Sequence, residues 1–135
     1  MGKIDKASKV RLVQAAAGAR NRAVAPYSKF KVGAAWLTRN GEIISGANVE
    51  SASYGLTCCA ERVALFSALT GGKRQLIALA VVARTPRGPM PCGACRQLLA
   101  EYAPAARIWV ADSRRPGKIR EFTVQELLPA AFVLP

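Results

Sequence analysis

A chain of 135 residues is long enough to bury one core and too short for two, and its 51% hydrophobic content suits a single compact domain. No apolar run approaches the ~18 residues of a membrane span, which excludes a spanning role. The net charge of +12 comes from 20 basic residues that are scattered, with only Lys73-Arg74 and Arg114-Arg115 adjacent. With no aromatic residues interleaved in a basic run, a solvated surface is expected rather than a nucleic-acid groove.

The opening Met1-Gly2-Lys3-Ile4-Asp5-Lys6 lacks the apolar stretch of a secretory signal. A cytoplasmic address follows as the expectation, with cysteines reduced and available to a metal rather than paired in disulfides. Asp5 to about Ala23 is predicted as a helix capped by Asp5, with Val10, Val13 and Ala17 at helical spacing, and Pro26 ends it. The loop Tyr27-Ser28-Lys29-Phe30 leads into a predicted strand over Lys31–Thr38. Asn40-Gly41 predicts a type I′ hairpin into a second strand from Ile43 to about Asn48, so the pair is antiparallel.

After a loop from Glu50 to Thr57, a helix is expected from about Cys59 to Leu69, stopped by Gly71-Gly72. Gln75–Arg84 is dense in Leu, Ile, Ala and Val and predicts a buried strand. A loop with Pro86, Gly88, Pro89 and Pro91 precedes a helix from about Cys92 to Tyr102. A strand over Arg107–Ala111, a turn to Gly117 and a short strand over Ile119–Phe122 follow. Thr123 and Glu126 have capping-box spacing before a short helix stopped by Pro129. No internal repeat, low-complexity segment or linker interrupts the chain. This order implies one domain over 1–135, an α/β fold in which a mixed sheet carries helices on both faces. Ligands in such sheets sit beyond strand ends near helix N-termini, where both cysteine motifs fall.

Those motifs are Thr57-Cys58-Cys59-Ala60-Glu61-Arg62 and Pro91-Cys92-Gly93-Ala94-Cys95. The chain has no histidine and four cysteines, so a zinc site must be built from sulfur, with a carboxylate as the other available donor. Cys92 and Cys95 are spaced to reach one ion, and a thiolate at a helix N-terminus is stabilised by unpaired N–H groups. A redox C-x-x-C or buried core cysteines are the competing readings. The third cysteine before Ala-Glu and the proline before the pair favour zinc. Of Cys58 and Cys59, the C-x-E register selects Cys59, because it places Glu61 on the same first helical turn; Cys58 is then a packed, free thiol. Three protein ligands leave one position open for water, and Glu61 stands beside it as the acid/base. Three thiolates give the site a net negative charge, so Arg62 and Arg96 are expected to donate to the sulfurs and offset it.

The residues Asn48-Val49-Glu50-Ser51-Ala52-Ser53-Tyr54-Gly55, the C-A-E and P-C-x-x-C motifs, and Tyr27-Ser28-x-Phe30-x-Val32-Gly33-Ala34-Ala35 together resemble the small, homotetrameric, zinc-dependent cytidine deaminases. The likeness runs from the first helix to Leu127-Leu128-Pro129. It implies a three-layer α/β/α sandwich with a five-stranded mixed sheet, one Zn²⁺ per subunit on Cys59, Cys92 and Cys95, and active sites shared between subunits. It implies hydrolysis of free cytidine and 2′-deoxycytidine in pyrimidine salvage, with Glu61 moving protons between water, ring nitrogen and leaving amine. The same resemblance assigns Asn48 and Glu50 to the ribose 3′-hydroxyl and Phe30 to packing on the nucleoside. It assigns Ala60 to a backbone contact on the pyrimidine, includes Val49 among the substrate-binding residues, and has Tyr54 and Phe132 completing a neighbour's pocket. Ser51, where Asn is common, and Met90, where Ser is usual before Pro91, depart from the pattern. Deamination of another cytosine compound, such as a nucleoside antibiotic or a base within a polynucleotide, and a non-catalytic zinc module are the rival readings. Glu50 opposes the polynucleotide one, because a chain-internal nucleotide has no free 3′-hydroxyl, and Glu61 with only three protein ligands opposes the module. A nucleoside substrate is thus expected, with no nucleic acid or membrane partner.

Overall fold

The computed structural model describes residues 4–135, so Met1-Gly2-Lys3 of the opening run lies outside the described residues. Helix α1 spans Lys6–Ala19 and begins where the Asp5 carboxylate accepts the Ser8 N–H at 2.7 Å. It closes earlier than expected: Arg20–Arg22 tighten into a 3₁₀ turn, with the Ala23 N–H on the Arg20 carbonyl. Its buried stripe is Leu12, Val13, Ala16 and Ala19, while Val10 is exposed, so the inward face is rotated from the expected one.

Strands β1 (Val32–Thr38) and β2 (Ile43–Ala47) form the antiparallel hairpin. Its turn differs from the type I′ expectation. Only Gly41 has a positive φ, of 88°, and the Gly41 N–H bonds the Thr38 carbonyl at 3.0 Å. Residues 39–41 therefore make a three-residue loop, a type I turn closed by a left-handed glycine, and Asn40 stays in the ordinary region. The Thr38 hydroxyl stabilises it by accepting the Glu42 N–H.

Helix α2 (Ala60–Thr70), β3 (Leu76–Ala83), α3 (Gly93–Tyr102), β4 (Arg107–Asp112), β5 (Arg120–Thr123) and α4 (Val124–Leu127) complete the chain. The sheet order is β2-β1-β3-β4-β5, with β3 and β4 parallel and every other pair antiparallel. Alternation along the strands divides the core in two. Trp36, Leu79, Val81, Ile108 and Val110 pack with α2, α3 and α4 on one face. Ala35, Leu37, Ala80, Val82 and Trp109 pack under α1 on the other. This is the three-layer α/β/α arrangement with five strands.

The sheet is paved with alanine and glycine where helices lie close. At Gly46 a Cβ would stand 2.6 Å from the Ala64 backbone nitrogen, so only glycine lets α2 approach β2 this closely. That approach sets where the first turn of α2 lies. The capping box at α4 forms in both directions, Thr123 Oγ1 with the Glu126 N–H and Glu126 Oε1 with the Thr123 N–H.

Candidate active site and metal centre

A short backbone ladder outside the sheet delivers the first motif. The Val49 N–H bonds the Cys58 carbonyl at 3.0 Å, the Cys58 N–H bonds the Val49 carbonyl at 2.9 Å, and Val24 lies along the other side of Val49. With Cys58 paired in this way, Cys59 is extended and is the N-cap of α2, its φ −67° and ψ 152°. Cys92 has the same role at α3, with φ −70° and ψ 169°. The helices thus begin one residue later than the sequence predicts, at Ala60 and Gly93. Neither helix has a side-chain acceptor at its cap. The unpaired first-turn N–H groups therefore favour negative charge on the sulfurs nearby.

The three predicted thiols meet. Cys59 Sγ lies 3.8 Å from Cys92 Sγ, and Cys92 Sγ lies 3.5 Å from Cys95 Sγ. All three sulfurs fall within 4.8 Å of one another, and Cys58 is outside the group. A tetrahedral zinc with Zn–S bonds of ~2.3 Å requires sulfurs about 3.8 Å apart, so this donor set fits Zn²⁺. Cys95 is buried and Cys92 exposed, which leaves the cluster open on one side.

The electrostatics of the cluster are uneven. Hydrogen bonds from the Cys95 thiol and the Arg62 guanidinium hold Cys59 down to about 5, making it the thiolate of the group. Cys95 is pushed up, because it keeps the proton it gives to Cys59 and because it is buried. Burial likewise raises Cys58. Zinc binding requires the remaining sulfurs to lose their protons.

Glu61 stands in the first turn of α2, only 6% exposed. Burial, with the Cys59 thiolate beside it, lifts its pKa to about 7. Arg62 donates from Nη2 to Cys59 Sγ and to the Thr57 carbonyl, both at 3.4 Å, as its expected role requires. Its Nε is buried without a partner.

Arg96 corrects the expectation. Its Nε donates to the Pro91 carbonyl at 2.7 Å and its Nη1 to the Leu127 carbonyl at 2.9 Å, so it gives no hydrogen bond to sulfur. Position next to Cys95 does not imply contact with it, because adjacent residues on a helix face different ways. Arg96 instead ties the loop before Cys92 to the C-terminal end of α4.

The residues expected at the sugar lie next to one another, and both hold the loop before β1. Asn48 is buried; its Oδ1 accepts the Val32 N–H and its Nδ2 donates to the Phe30 carbonyl, each at 2.9 Å. Glu50 Oε1 accepts the Tyr27 and Ser28 N–H groups, each at 3.1 Å, and Oε2 accepts the Ser28 hydroxyl. These bonds hold the Glu50 carboxyl below its ordinary value. Each side chain keeps hydrogen-bonding capacity, one Nδ2 hydrogen in Asn48 and further lone pairs in Glu50. Phe30 and Val49 are half exposed. Ala60 is fully buried, and its N–H, at the first position of α2, has no intrahelical acceptor. Tyr54 is 81% and Phe132 67% exposed, and Tyr54 borders a cleft of about 330 Å³ shared with Ser28, Glu50 and Thr57. Gln97 holds the Phe132 carbonyl, at 3.4 Å.

Sequence reading missed the supports. Ser28 clamps Glu50, and Thr57 Oγ1 accepts the Ser51 N–H at 3.1 Å, so the loop between Glu50 and Cys58 closes on itself. Ser51 Oγ accepts the Ser53 N–H, and the loop keeps its hydrogen bonding with serine there. Ser28 before the Phe30 loop and Thr57 directly before Cys58-Cys59 were the available signals.

The profile of the cytidine and deoxycytidylate deaminase zinc-binding region matches residues 6–111. A cytidine deaminase of Halalkalibacterium halodurans is 53% identical over 122 residues, covering 90% of this chain and 91% of that one. A cytidine deaminase of Sporosarcina psychrophila is 46% identical over 123 residues, covering 90% and 89%. The crystal structure of a cytidine deaminase from Burkholderia pseudomallei superposes with a TM-score of 0.86 at 48% identity, over 90% of this chain and 97% of that chain.

Proposed function

The chain belongs to the cytidine and deoxycytidylate deaminase family, and we propose that it converts free cytidine and 2′-deoxycytidine hydrolytically to uridine and 2′-deoxyuridine, releasing ammonia. One observation carries the chemistry: a buried carboxyl, Glu61, in the first turn of the helix that Cys59 caps, where Cys59 joins Cys92 and Cys95 of α3 in a three-sulfur cluster open on one side. Cys59, Cys92 and Cys95 would hold Zn²⁺, which when bound would supply Lewis acidity and make water more acidic.

Glu61 takes a proton from the attacking water as a bond forms from oxygen to C4 of the pyrimidine. It passes protons to the ring N3 and then to the leaving amine, the C4–N bond breaks, and ammonia departs. A carboxyl with a pKa of about 7 both accepts and releases a proton near neutrality. Arg62 draws charge from Cys59. The unpaired N–H of Ala60 is available to the pyrimidine edge. Asn48 and Glu50 meet the ribose 3′-hydroxyl while they hold the Phe30 loop, and Phe30 with Val49 covers the nucleoside.

The protein acts as a homotetramer, in which Tyr54 and Phe132 of one subunit close the pocket of another. Their exposure in the single chain supports this reading. Its place is the cytoplasm, in salvage of pyrimidine nucleosides. No helix among the described residues is long and apolar enough to cross a membrane.

The test is incubation with cytidine, deoxycytidine, cytosine and a cytosine-containing oligonucleotide, following ammonia and the uracil product. Turnover of the two nucleosides alone is expected. Comparable turnover of the oligonucleotide overturns the free-nucleoside assignment.

A further inference from the structure

The basic residues look scattered in the sequence, but the fold gathers five of them around one cleft. Arg87 comes from the loop after β3, Arg114, Arg115 and Lys118 from the turn between β4 and β5, and Arg120 from β5 itself. Together they line a cavity of about 750 Å³. Asp112 is the cleft's one carboxylate, and Arg114 engages it through Nε and Nη2 at 2.8–3.1 Å. Among the described residues Arg87, Arg115, Lys118 and Arg120 form no ion pair. Five cations therefore share a concave surface with a single carboxylate, and their mutual repulsion is relieved by an anion.

Backbone hydrogen bonds order the segments that carry the cations. The Ser113 N–H bonds the Ala83 carbonyl at 2.9 Å, carrying the pairing with the last residue of β3 one residue past the end of β4. Two consecutive turns follow, Arg115 N–H to the Asp112 carbonyl at 2.9 Å and Lys118 N–H to the Arg115 carbonyl at 3.0 Å. Arg87 is held at a φ of 68°, a region that non-glycine residues adopt at a cost, and its carbonyl accepts Arg120 Nη1 at 3.2 Å. None of these residues belongs to the metal centre.

We propose that the cleft formed by Arg87, Arg114, Arg115, Lys118 and Arg120 is a binding site for a compact oligophosphate, either inorganic or the phosphate tail of a nucleoside triphosphate. Guanidinium groups match phosphate oxygens in pairs, and several phosphates in a row satisfy several cations at once. The shape argues against an extended nucleic-acid strand. The cleft is lined by no aromatic side chain on which bases would stack, and Phe122 nearby lies under the Arg120 guanidinium at 5.0 Å.

The test is calorimetric titration of the zinc-loaded protein with inorganic tripolyphosphate, with ATP, and with a single-stranded oligonucleotide lacking cytosine. Saturation by tripolyphosphate at one per chain is expected. ATP binding in competition with it identifies the nucleotide tail as a source, and failure of ATP restricts the site to the inorganic ion. Arg115→Ala with Lys118→Ala should weaken tripolyphosphate roughly tenfold or more and lower the salt dependence by about two counter-ions. Arg11→Ala with Arg39→Ala removes the same charge from exposed positions outside the cleft and should change affinity less than about twofold. Circular dichroism and deamination of cytidine check that both double variants are folded.

Equal weakening in the two variants means diffuse attraction to the +12 surface and overturns the proposal. So does binding that strengthens with oligonucleotide length while tripolyphosphate fails to compete. Metal analysis after titration covers chelation: loss of zinc without saturation overturns it as well.

Discussion

The Glu50 carboxylate accepts both the backbone N–H of Ser28, at 3.1 Å, and its hydroxyl. The residue assigned to the sugar is thus already part of a clamp on the loop that carries Phe30. Ser28→Ala should loosen that loop and lower kcat/KM for cytidine by roughly tenfold, mainly through KM, with zinc content unchanged. Glu50→Gln should do the same and more. Steady-state kinetics with metal analysis decide it, and an unchanged KM in Ser28→Ala would detach the clamp from substrate binding.

Replacing Cys59, Cys92 or Cys95 by Ala should abolish zinc loading and lower the melting temperature, because metal affinity is part of the folding free energy. Cys58→Ala should retain one zinc per chain, since that sulfur lies outside the cluster. Metal analysis of the four variants checks the assignment, and zinc loss confined to Cys58→Ala would reverse it.

Glu61→Gln preserves size and the start of α2 but cannot shuttle protons. Turnover should fall by about 10²–10⁴-fold while zinc and fold persist. Retention of more than about a tenth of the activity would remove Glu61 from this role.

Arg62 and Arg96 should separate in their effects. Arg62→Gln removes the hydrogen bond to Cys59 and should lower kcat with little change in melting temperature. Arg96→Ala leaves the sulfurs untouched but severs the links to Pro91 and Leu127, at a cost of about 1–3 kcal/mol. Thermal melting beside kinetics at saturating zinc distinguishes them.

Glu121 carries the acid-side prediction. It accepts the Trp109 indole N–H at 2.7 Å and faces Lys9 and Arg107, and these hold its pKa below the ordinary 4.5. The folded value lies below the unfolded one, so the stabilisation is present above the unfolded pKa and is lost as pH falls through the folded one. Glu121 is partly exposed, so screening limits the effect to about 1 kcal/mol. Denaturant midpoints of the native protein and Glu121→Gln should differ near neutrality and converge as pH falls through the lowered folded pKa.

Much of this was legible in the chain. The cysteine spacing and the absence of histidine led to Cys59, Cys92 and Cys95, and alternation of apolar residues led to the strands. What escaped were relations that depend on where side chains point. Arg96 adjoins Cys95 in sequence yet bonds to carbonyls, since helical neighbours diverge by about 100°. The Asn40-Gly41 turn took a three-residue form because Asn40 kept a negative φ. Four cations of the basic cleft fall within residues 114–120, but Arg87 joins them only once β3, β4 and β5 are adjacent.

The caps of α2 and α3 are Cys59 and Cys92, residues 33 positions apart. A zinc ion held by them would close a loop that encloses α2, β3 and the turn leading to α3, and cross-links of long loops restrict the unfolded chain most. The ion would thereby act as a proofreader of assembly. A chain in which either helix starts at the wrong residue presents its sulfur elsewhere and cannot complete the ligand set. The capacity to hold metal, and with it to turn over substrate, then certifies that both halves of the domain have reached their places.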